Sequence, residues 1–325
     1  MTMNRSRRLI LVTGGAGFIG SHLVEGLLER GEAVRVLDNL STGKQENLMG
    51  LGNGRWNAHR DFEFILGDIR DRKIVQTAMN GVDAVFHQAA LGSVPRSVTD
   101  PVTTQEVNAD GTLNILQSAR DAGVSRVVYA SSSSVYGNSE LLPKREGEEG
   151  LTLSPYALTK RVNEEYGRLF MGLYAFETIG LRYFNVYGPR QDPESEYAAV
   201  IPRFVTALLK KSEPIIYGTG LQSRDFTFVK DVVRANILAL EAPPFACGRS
   251  FNIGCGTQAT LLELLSALQD LLGTNIEPRF ESPRAGDVMH SSADTGLSEK
   301  MLGFKAEFDL RLGLAQSIAW YRENL

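Results

Sequence analysis

Hydrophobic and polar positions along the first half of this chain follow two alternating periods. Compact runs rich in β-branched residues fall at 9–13, 33–38, 62–66, 82–87 and 126–130. Between them, stretches at 21–30 and 108–121 repeat apolar positions every three to four residues, the period of a helix with one buried face. Runs that are apolar throughout are strands covered on both sides, and strands alternating with helices predict a parallel sheet between two helical layers. The expected fold class is α/β, a doubly wound parallel sheet.

The second half is less regular. Residues 177–189, "ETIGLRYFNVYGP", read as another strand ending in a turn, and "RDFTFVKDVVRANILAL" and "SFNIGCG" read as segments that return to the sheet. The Gly- and Asn-rich stretch between positions 39 and 61 reads as a long surface excursion after the second strand. Residues 261–272, "LLELLSALQDLL", have helical periodicity and predict a packed amphipathic helix. The expected organisation is a first domain of residues 1–188, with 222–256 returning to it, and a second of 189–221 and 257–325. There is no internal repeat.

Composition narrows the partners. The 325 residues are 43% hydrophobic and 22% charged with a net charge of -4, so no surface spread over the molecule suits a polyanion, and no nucleic acid is expected. Cys247 and Cys255 are too few and too far apart for a zinc knuckle. His22, His59, His87 and His290 share no ligand spacing, and no metal is expected. His87 is expected to be structural, at the end of a ligand-facing strand. Arg5, Arg7 and Arg8 precede an apolar run as in a secretory leader, but the run breaks at Gly14, Gly15, Gly17 and Gly20 and is read as the first strand. No apolar run approaches the roughly 18 residues that span a bilayer. A cytoplasmic protein without a membrane partner is expected.

The strongest chemical signal is "LVTGGAGFIGSHLVEGLLERG". Gly14, Gly17 and Gly20 stand between a strand and a helix, where the first allows a tight turn, the second lets a pyrophosphate reach the backbone, and the third lets helix and strand pack closely. The helix N-terminus offers unpaired N–H groups to the anion. Asp38 ends the second strand, where a carboxylate accepts hydrogen bonds from ribose hydroxyls and repels a 2′-phosphate. NAD is thus the expected cofactor. Asp68 and Ile69, in "GDIRD" after the third strand, are expected near its adenine.

A second signal is "SPYALTK", with Tyr156 and Lys160 four residues apart on one helical face. A free tyrosine titrates at about 10 and is a poor base at neutral pH. A neighbouring ammonium and a cationic nicotinamide ring favour the phenolate and make proton abstraction feasible.

Together with "HQAA", "SSSSVYG", "LRYFNVYGP", "SRDFTFVKDV" and "RAGDVMHSSAD", these segments make nearly the whole chain resemble the extended short-chain dehydrogenase/reductases of the nucleotide-sugar epimerase and dehydratase group. The resemblance implies a Rossmann-type NAD-binding domain with a smaller α/β substrate-binding C-terminal domain, a UDP-sugar substrate and a homodimer. The dimer helices would be the one following residues 101–111 and the one carrying Tyr156. Tyr156 would be the catalytic base, Lys160 would hold the nicotinamide ribose, and Ser132, four positions before Tyr136, would polarise the sugar O4. NAD would also meet Phe18 and Ile19, the segment Asn39, Ser41, Thr42 and Gly43, the turn Gln88, Ala89 and Ala90, and Asn108 and Tyr183. The nucleotide sugar would meet Ser93, Ser133, Asn185, the stretch "AAVIPRF" with Ala199 and Val200, Tyr217, Arg224, Arg284, Asp287 and Ser291.

The same resemblance bears on the reaction. Dehydratases of the group carry an Asp-Glu pair directly after the serine or threonine at the Ser132 position, whereas Ser133 and Ser134 stand here. Neither is a general acid/base near neutral pH, so dehydration is disfavoured and reversible oxidation at C4, giving 4-epimerisation through a transient 4-keto sugar, is expected. Ser291 occupies a position that is a tyrosine in epimerases restricted to glucose and galactose, and "ALGSVPRSV" resembles those that prefer N-acetylated sugars. UDP-GlcNAc/UDP-GalNAc is therefore the expected pair, with some UDP-Glc/UDP-Gal activity. A UDP-glucuronate or UDP-N-acetylhexosaminuronate 4-epimerase, with Arg96 meeting the carboxylate, is the alternative. A non-catalytic NAD-binding regulator is another, opposed by the joint retention of Tyr156, Lys160 and Ser132.

Overall fold

A computed structural model describes residues 7–51, 61–193, 198–283 and 288–325. Within it the chain forms two compact units, each assembled from three segments. The first comprises the chain up to Ser132, Ser154–Leu181 and Val233–Ser250; the second comprises Ser133–Leu153, Arg182–Val232 and Phe251–Leu325.

The main sheet has seven strands, numbered here β1 (Leu9–Thr13), β2 (Ala33–Asp38), β3 (Phe62–Leu66), β4 (Ala84–His87), β5 (Arg126–Ser132), β6 (Glu177–Tyr183) and β7 (Arg249–Ile253). Their spatial order is β7-β6-β5-β4-β1-β2-β3. The pairs β1/β2, β2/β3, β1/β4 and β4/β5 are parallel, with Val12 opposite both Val36 and Phe86. The predicted strands 9–13, 33–38 and 62–66 recur with the same bounds. β7 contains the "SFNI" segment and does join the sheet. The segment "RDFTFVKDVVRANILAL" does not. Arg224 belongs to a short strand paired with Ala259–Thr260, Thr227–Phe228 pairs with Val186–Tyr187, and Val229–Glu241 is a helix. Its apolar residues recur as Val229, Val232, Val233 and Leu240, a helical spacing that prevails over β-branched propensity.

Side chains alternate across this sheet. Leu11, Leu37, Val85 and Val127 face a core closed by Val75, Ile115, Leu116 and Phe170 from helices α2 (Arg72–Ala78), α3 (Gly111–Asp121) and α4 (Pro155–Tyr174). Ile10, Val12, Val34, Val36 and Phe86 alternate with them and are equally buried. Complete burial of each such side chain contributes about 1.5–3 kcal/mol, which favours this arrangement over any register that exposes one set. Helix α1 (Phe18–Glu29) buries Leu23, Val24 and Leu27. It starts three residues before the predicted helix, with Gly17 as an N-cap that makes no side-chain hydrogen bond.

After β3 the chain crosses to the opposite side of β1 to form β4, so the order reverses between β1 and β4. In open α/β sheets ligands bind beyond the carboxyl ends of the strands at such a reversal.

The second unit is built from small pairings: Ser223–Arg224 with Ala259–Thr260 and Ile215–Tyr217 with Arg279–Glu281, besides Val186–Tyr187 with Thr227–Phe228. The predicted amphipathic helix is present as Leu261–Leu272. Thr260 and Glu263 form a capping box at its start, and Gly273 ends it in the left-handed region at φ 67°. No helix among the described residues is long and apolar enough to cross a membrane.

Candidate active site

The turn after β1 carries the glycines. Gly14 adopts φ +68°, and a Cβ there would come within 2.6 Å of the Ala89 nitrogen. A Cβ on Gly20 would lie 2.1 Å from the Gly14 oxygen, so helix α1 packs on the turn with no room for a methyl group. Gly17 differs: its Cβ would meet only the Gly14 oxygen, at 3.2 Å, and the rest of that face is open. An unencumbered backbone at a helix N-terminus is a cradle for a phosphate. Phe18 and Ile19 form its first helical positions.

Asp38 ends β2 and is 8% exposed. Its carboxylate accepts the Ala16 N–H at 2.9 Å and the Leu40 N–H at 2.8 Å, tying it to the glycine turn. Burial raises its pKa, and the backbone donors Leu40, Ala16 and Asn39 oppose the rise. Two carboxylate oxygens have about four acceptor sites, so capacity remains for a ribose.

The segment Asn39, Ser41, Thr42 and Gly43 follows, with the Asn39 carbonyl oxygen taking the Ser41 N–H and its amide donating to Asp68 at 2.8 Å. This stretch is less of an excursion than expected. The Lys44 N–H and the Asn47 side chain both donate to the Ala16 oxygen, at 3.0 and 2.9 Å, and Leu48 is buried. Residues 52–60 of the predicted excursion lie outside the described residues.

Asp68 is held by Arg70, whose guanidinium lowers its pKa to about 2, and Ile69 is buried in the core beneath. Gln88, Ala89 and Ala90 leave β4 half-buried, with Gln88 donating to Asn236 at 3.0 Å.

His87 is structural in the described geometry. One ring nitrogen lies 2.7 Å from the Thr13 hydroxyl and the other 2.9 Å from the Thr112 hydroxyl. Burial, reinforced by the charge of Lys160, lowers its pKa to about 3. Asn108 lies in a single π-helical turn, Glu106–Asp110, and is fully buried. Its side chain accepts the Leu91 N–H at 2.8 Å and donates to the Leu91 oxygen and the Thr159 hydroxyl, so it braces the segment after β4 against α4.

Helix α4 begins with Ser154 as N-cap, accepting the Ala157 N–H, and Pro155 in its first turn. That start sets Tyr156 and Lys160 on the face toward the end of β5. Tyr156 hydrogen-bonds Ser132, and Lys160 donates to the Ala130 oxygen at 2.8 Å with its ammonium 5.9 Å from the Tyr156 ring centre. The Tyr156 and Lys160 spacing read from sequence and the Ser132 position implied by the resemblance therefore come together. Burial pushes the Tyr156 phenol up, and the Ser132 hydrogen bond pulls it back. Burial also lowers Lys160 to about 8, against the raising effect of Glu164. Ser93 caps the helix Val94–Thr99 by accepting the Arg96 N–H, which leaves its own O–H available to donate.

In the second unit a cavity of about 310 Å³ gathers Asn185, Ala199, Val200, Tyr217 and Arg224. Arg203 and Gln222 also line it; Arg203 falls in the segment "AAVIPRF" that the resemblance marked, whereas Gln222 was missed. Arg203 sits 5.5 Å from the Tyr217 ring centre, and the Gln222 amide donates to the Tyr217 oxygen. Helical spacing agrees with that marking, since Arg203 stands one turn after Ala199 in Val200–Leu209. Two guanidiniums with an aromatic ring and apolar walls suit a base joined to phosphates.

Asp225 fastens the strand of Arg224 by accepting the backbone N–H groups of Cys255, Gly256 and Ala293 at 2.8–3.0 Å. Ser291 donates its N–H to the Ser223 oxygen at 3.1 Å and lies beside this strand rather than on the cavity wall. Ser133 opens the short helix Ser133–Tyr136, and Tyr183 ends β6, nearly buried. Arg284 and Asp287 lie outside the described residues.

Residues 10–254 match the model of the NAD dependent epimerase/dehydratase family. A UDP-glucose 4-epimerase of Mycolicibacterium smegmatis is 40% identical over 316 residues, covering 97% of this chain and 98% of that protein. Among solved structures, UDP-N-acetylglucosamine 4-epimerase from Methanobrevibacter ruminantium in complex with UDP-N-acetylmuramic acid is 38% identical. It has a TM-score of 0.92 and coverage of 98% and 99% of the two chains. UDP-glucose 4-epimerase of Thermotoga maritima, with UDP-glucose, is 37% identical, with a TM-score of 0.90 and coverage of 97% and 99%.

Proposed function

This chain belongs to the NAD-dependent epimerase/dehydratase family, and from that premise we propose that it interconverts UDP-GlcNAc and UDP-GalNAc by inverting C4, with UDP-Glc and UDP-Gal as further substrates. The observation that carries the reaction is the hydrogen-bonded pair of Ser132 and Tyr156 beside the buried ammonium of Lys160.

The open backbone at Gly17 and the ribose-ready carboxylate of Asp38 fit NAD, which when bound supplies the acceptor and later the donor of the hydrogen at C4. Gly14, Gly17 and Gly20 would hold its pyrophosphate, and Lys160 its nicotinamide ribose. Tyr156 would remove the proton of the 4-hydroxyl, with Ser132 holding that oxygen in line. The same phenol would return a proton to O4 once the 4-keto sugar has turned its other face. Ser133 and Ser134 offer no acid to expel a 6-hydroxyl, which favours epimerisation over dehydration.

The sugar assignment rests on the small side chain of Ser291. A phenol there would crowd a 2-N-acetyl group, and overpacking of that kind costs about 1–3 kcal/mol. Ser291→Tyr is expected to lower kcat/KM for UDP-GlcNAc at least tenfold while sparing UDP-Glc. Proton NMR of the products from UDP-GlcNAc, UDP-Glc and UDP-GlcA, with no NAD added, checks both claims. An unchanged UDP-GlcNAc rate in Ser291→Tyr removes the sugar assignment, and turnover of UDP-GlcA alone replaces it with the uronate reading.

A homodimer is part of the proposal. Leu158, Leu169 and Leu173 of α4 are 50%, 39% and 68% exposed and share one helical face, an apolar stripe unusual on a monomer's surface. Light scattering is expected to give twice the mass of the chain.

A further inference from the structure

The end of β5 and helix α4 meet at a third point besides the two already described. The Ser131 hydroxyl, buried between Ala130 and Ser132, donates to the Glu164 carboxylate at 2.5 Å. Three consecutive strand residues are therefore gripped by three residues of α4. Ala130 is bound by Lys160, Ser131 by Glu164 and Ser132 by Tyr156. Positions 156, 160 and 164 are spaced by four, so they form one stripe along the helix.

We propose that Glu164 is a positioning residue of the active site, which clamps Ser131 and faces Lys160 so that Ser132, Tyr156 and the ammonium keep one register. The inference rests on the reading of Tyr156 and Lys160 given above.

Glu164 acts on Lys160 as a charge as well as a tether. Burial lowers Lys160 to about 8, and Glu164 is the group that opposes the fall. The other titratable neighbours are Tyr156 on the same helix and His87 on β4, which burial keeps neutral. Without the Glu164 charge the ammonium is lost at lower pH, because the folded-state pKa of Lys160 falls further. The hydrogen bond and the charge are separable: Glu164→Gln keeps an acceptor for Ser131 and removes the charge, whereas Ser131→Ala keeps the charge and removes the bond.

The test measures NAD affinity of the apoprotein against pH by calorimetry, and kcat/KM of the NAD-loaded enzyme against pH. In the wild type both are expected to fall as pH rises through about 8. In Glu164→Gln both falls are expected about one pH unit lower, the shift that loss of a close opposite charge produces. Glu164→Asp is expected to restore the wild-type midpoint. Ser131→Ala is expected to keep that midpoint while kcat drops about tenfold through a looser Ser132.

Wild-type midpoints in Glu164→Gln, at wild-type melting temperature, overturn the inference. So does a shifted midpoint in Glu164→Asp or Ser131→Ala, which need not share the fate of the Gln variant if that one misfolds. NAD affinity is read with no sugar present. A protein that shows the expected NAD profile and converts no nucleotide sugar defeats the proposed reaction while leaving the clamp in place.

Discussion

Tyr156→Phe is expected to lower kcat by 10²- to 10⁴-fold or more, the range over which a positioned acid/base contributes, while the folded protein and its bound NAD are retained. The ring of Tyr156 stays, so its packing in the first turn of α4 and its face toward Lys160 are preserved. What disappears is one hydroxyl, and with it the partner of Ser132. A lost hydrogen bond of this kind costs about 1 kcal/mol in stability, far too little to unfold a chain of this size.

The free protein carries a tension at this residue, since burial raises the phenol above its ordinary value whereas catalysis needs it lowered. The Ser132 hydrogen bond, the Lys160 ammonium and the cationic ring of bound NAD all act in the lowering direction. Product formation by NMR and the NAD released on denaturation measure the two quantities separately. A variant turning over within a few fold of wild type would refute the assignment of Tyr156 as base.

Gly20→Ala is expected to strip NAD from the purified protein and lower its melting temperature by several degrees. The added Cβ would sit 2.1 Å from the Gly14 oxygen and 2.8 Å from both the Gly14 carbonyl carbon and the Gly15 Cα, all backbone atoms. No rotamer change relieves such a contact, so α1 must move off the glycine turn and its N-terminal amides leave the phosphate position. Gly17→Ala is the matched control. Its Cβ has a single contact at 3.2 Å, so it should alter NAD affinity without the loss in melting temperature. Equal melting temperatures for wild type and Gly20→Ala would contradict this reading of the turn.

Legibility from sequence followed how local the determinants are. β1 and β2 were readable because a strand buried on both faces is apolar at nearly every position, and β3, an edge strand exposed at Glu63 and Leu66, because its aromatic and β-branched residues favour an extended chain. Tyr156 and Lys160 were readable through spacing along one helix, and Ser132 through the family resemblance of "SSSSVYG". Gln222 was not, because it reaches the Tyr217 cavity from a loop whose approach depends on two-residue strand pairings that carry almost no pattern. Glu164 was missed for a related reason. Among many charged residues on α4 only its bond to Ser131 distinguishes it, and Ser131 itself reads as one of four serines in a row.

The way the two units share the chain bears on how the protein is made. β6 and β7 form one side of the main sheet, and β7 comes from residues 249–253, after two of the three segments of the second unit have been synthesised. Domains made of one contiguous stretch can fold in order of emergence from the ribosome. Here the main sheet waits for its outermost strand until the ribosome has passed through Arg182–Val232. The nascent β1–β6 sheet therefore carries an open flank at β6, the neighbour of the strand that ends in Ser132. Translation stalled before residue 249 would leave that edge exposed to pairing with other chains.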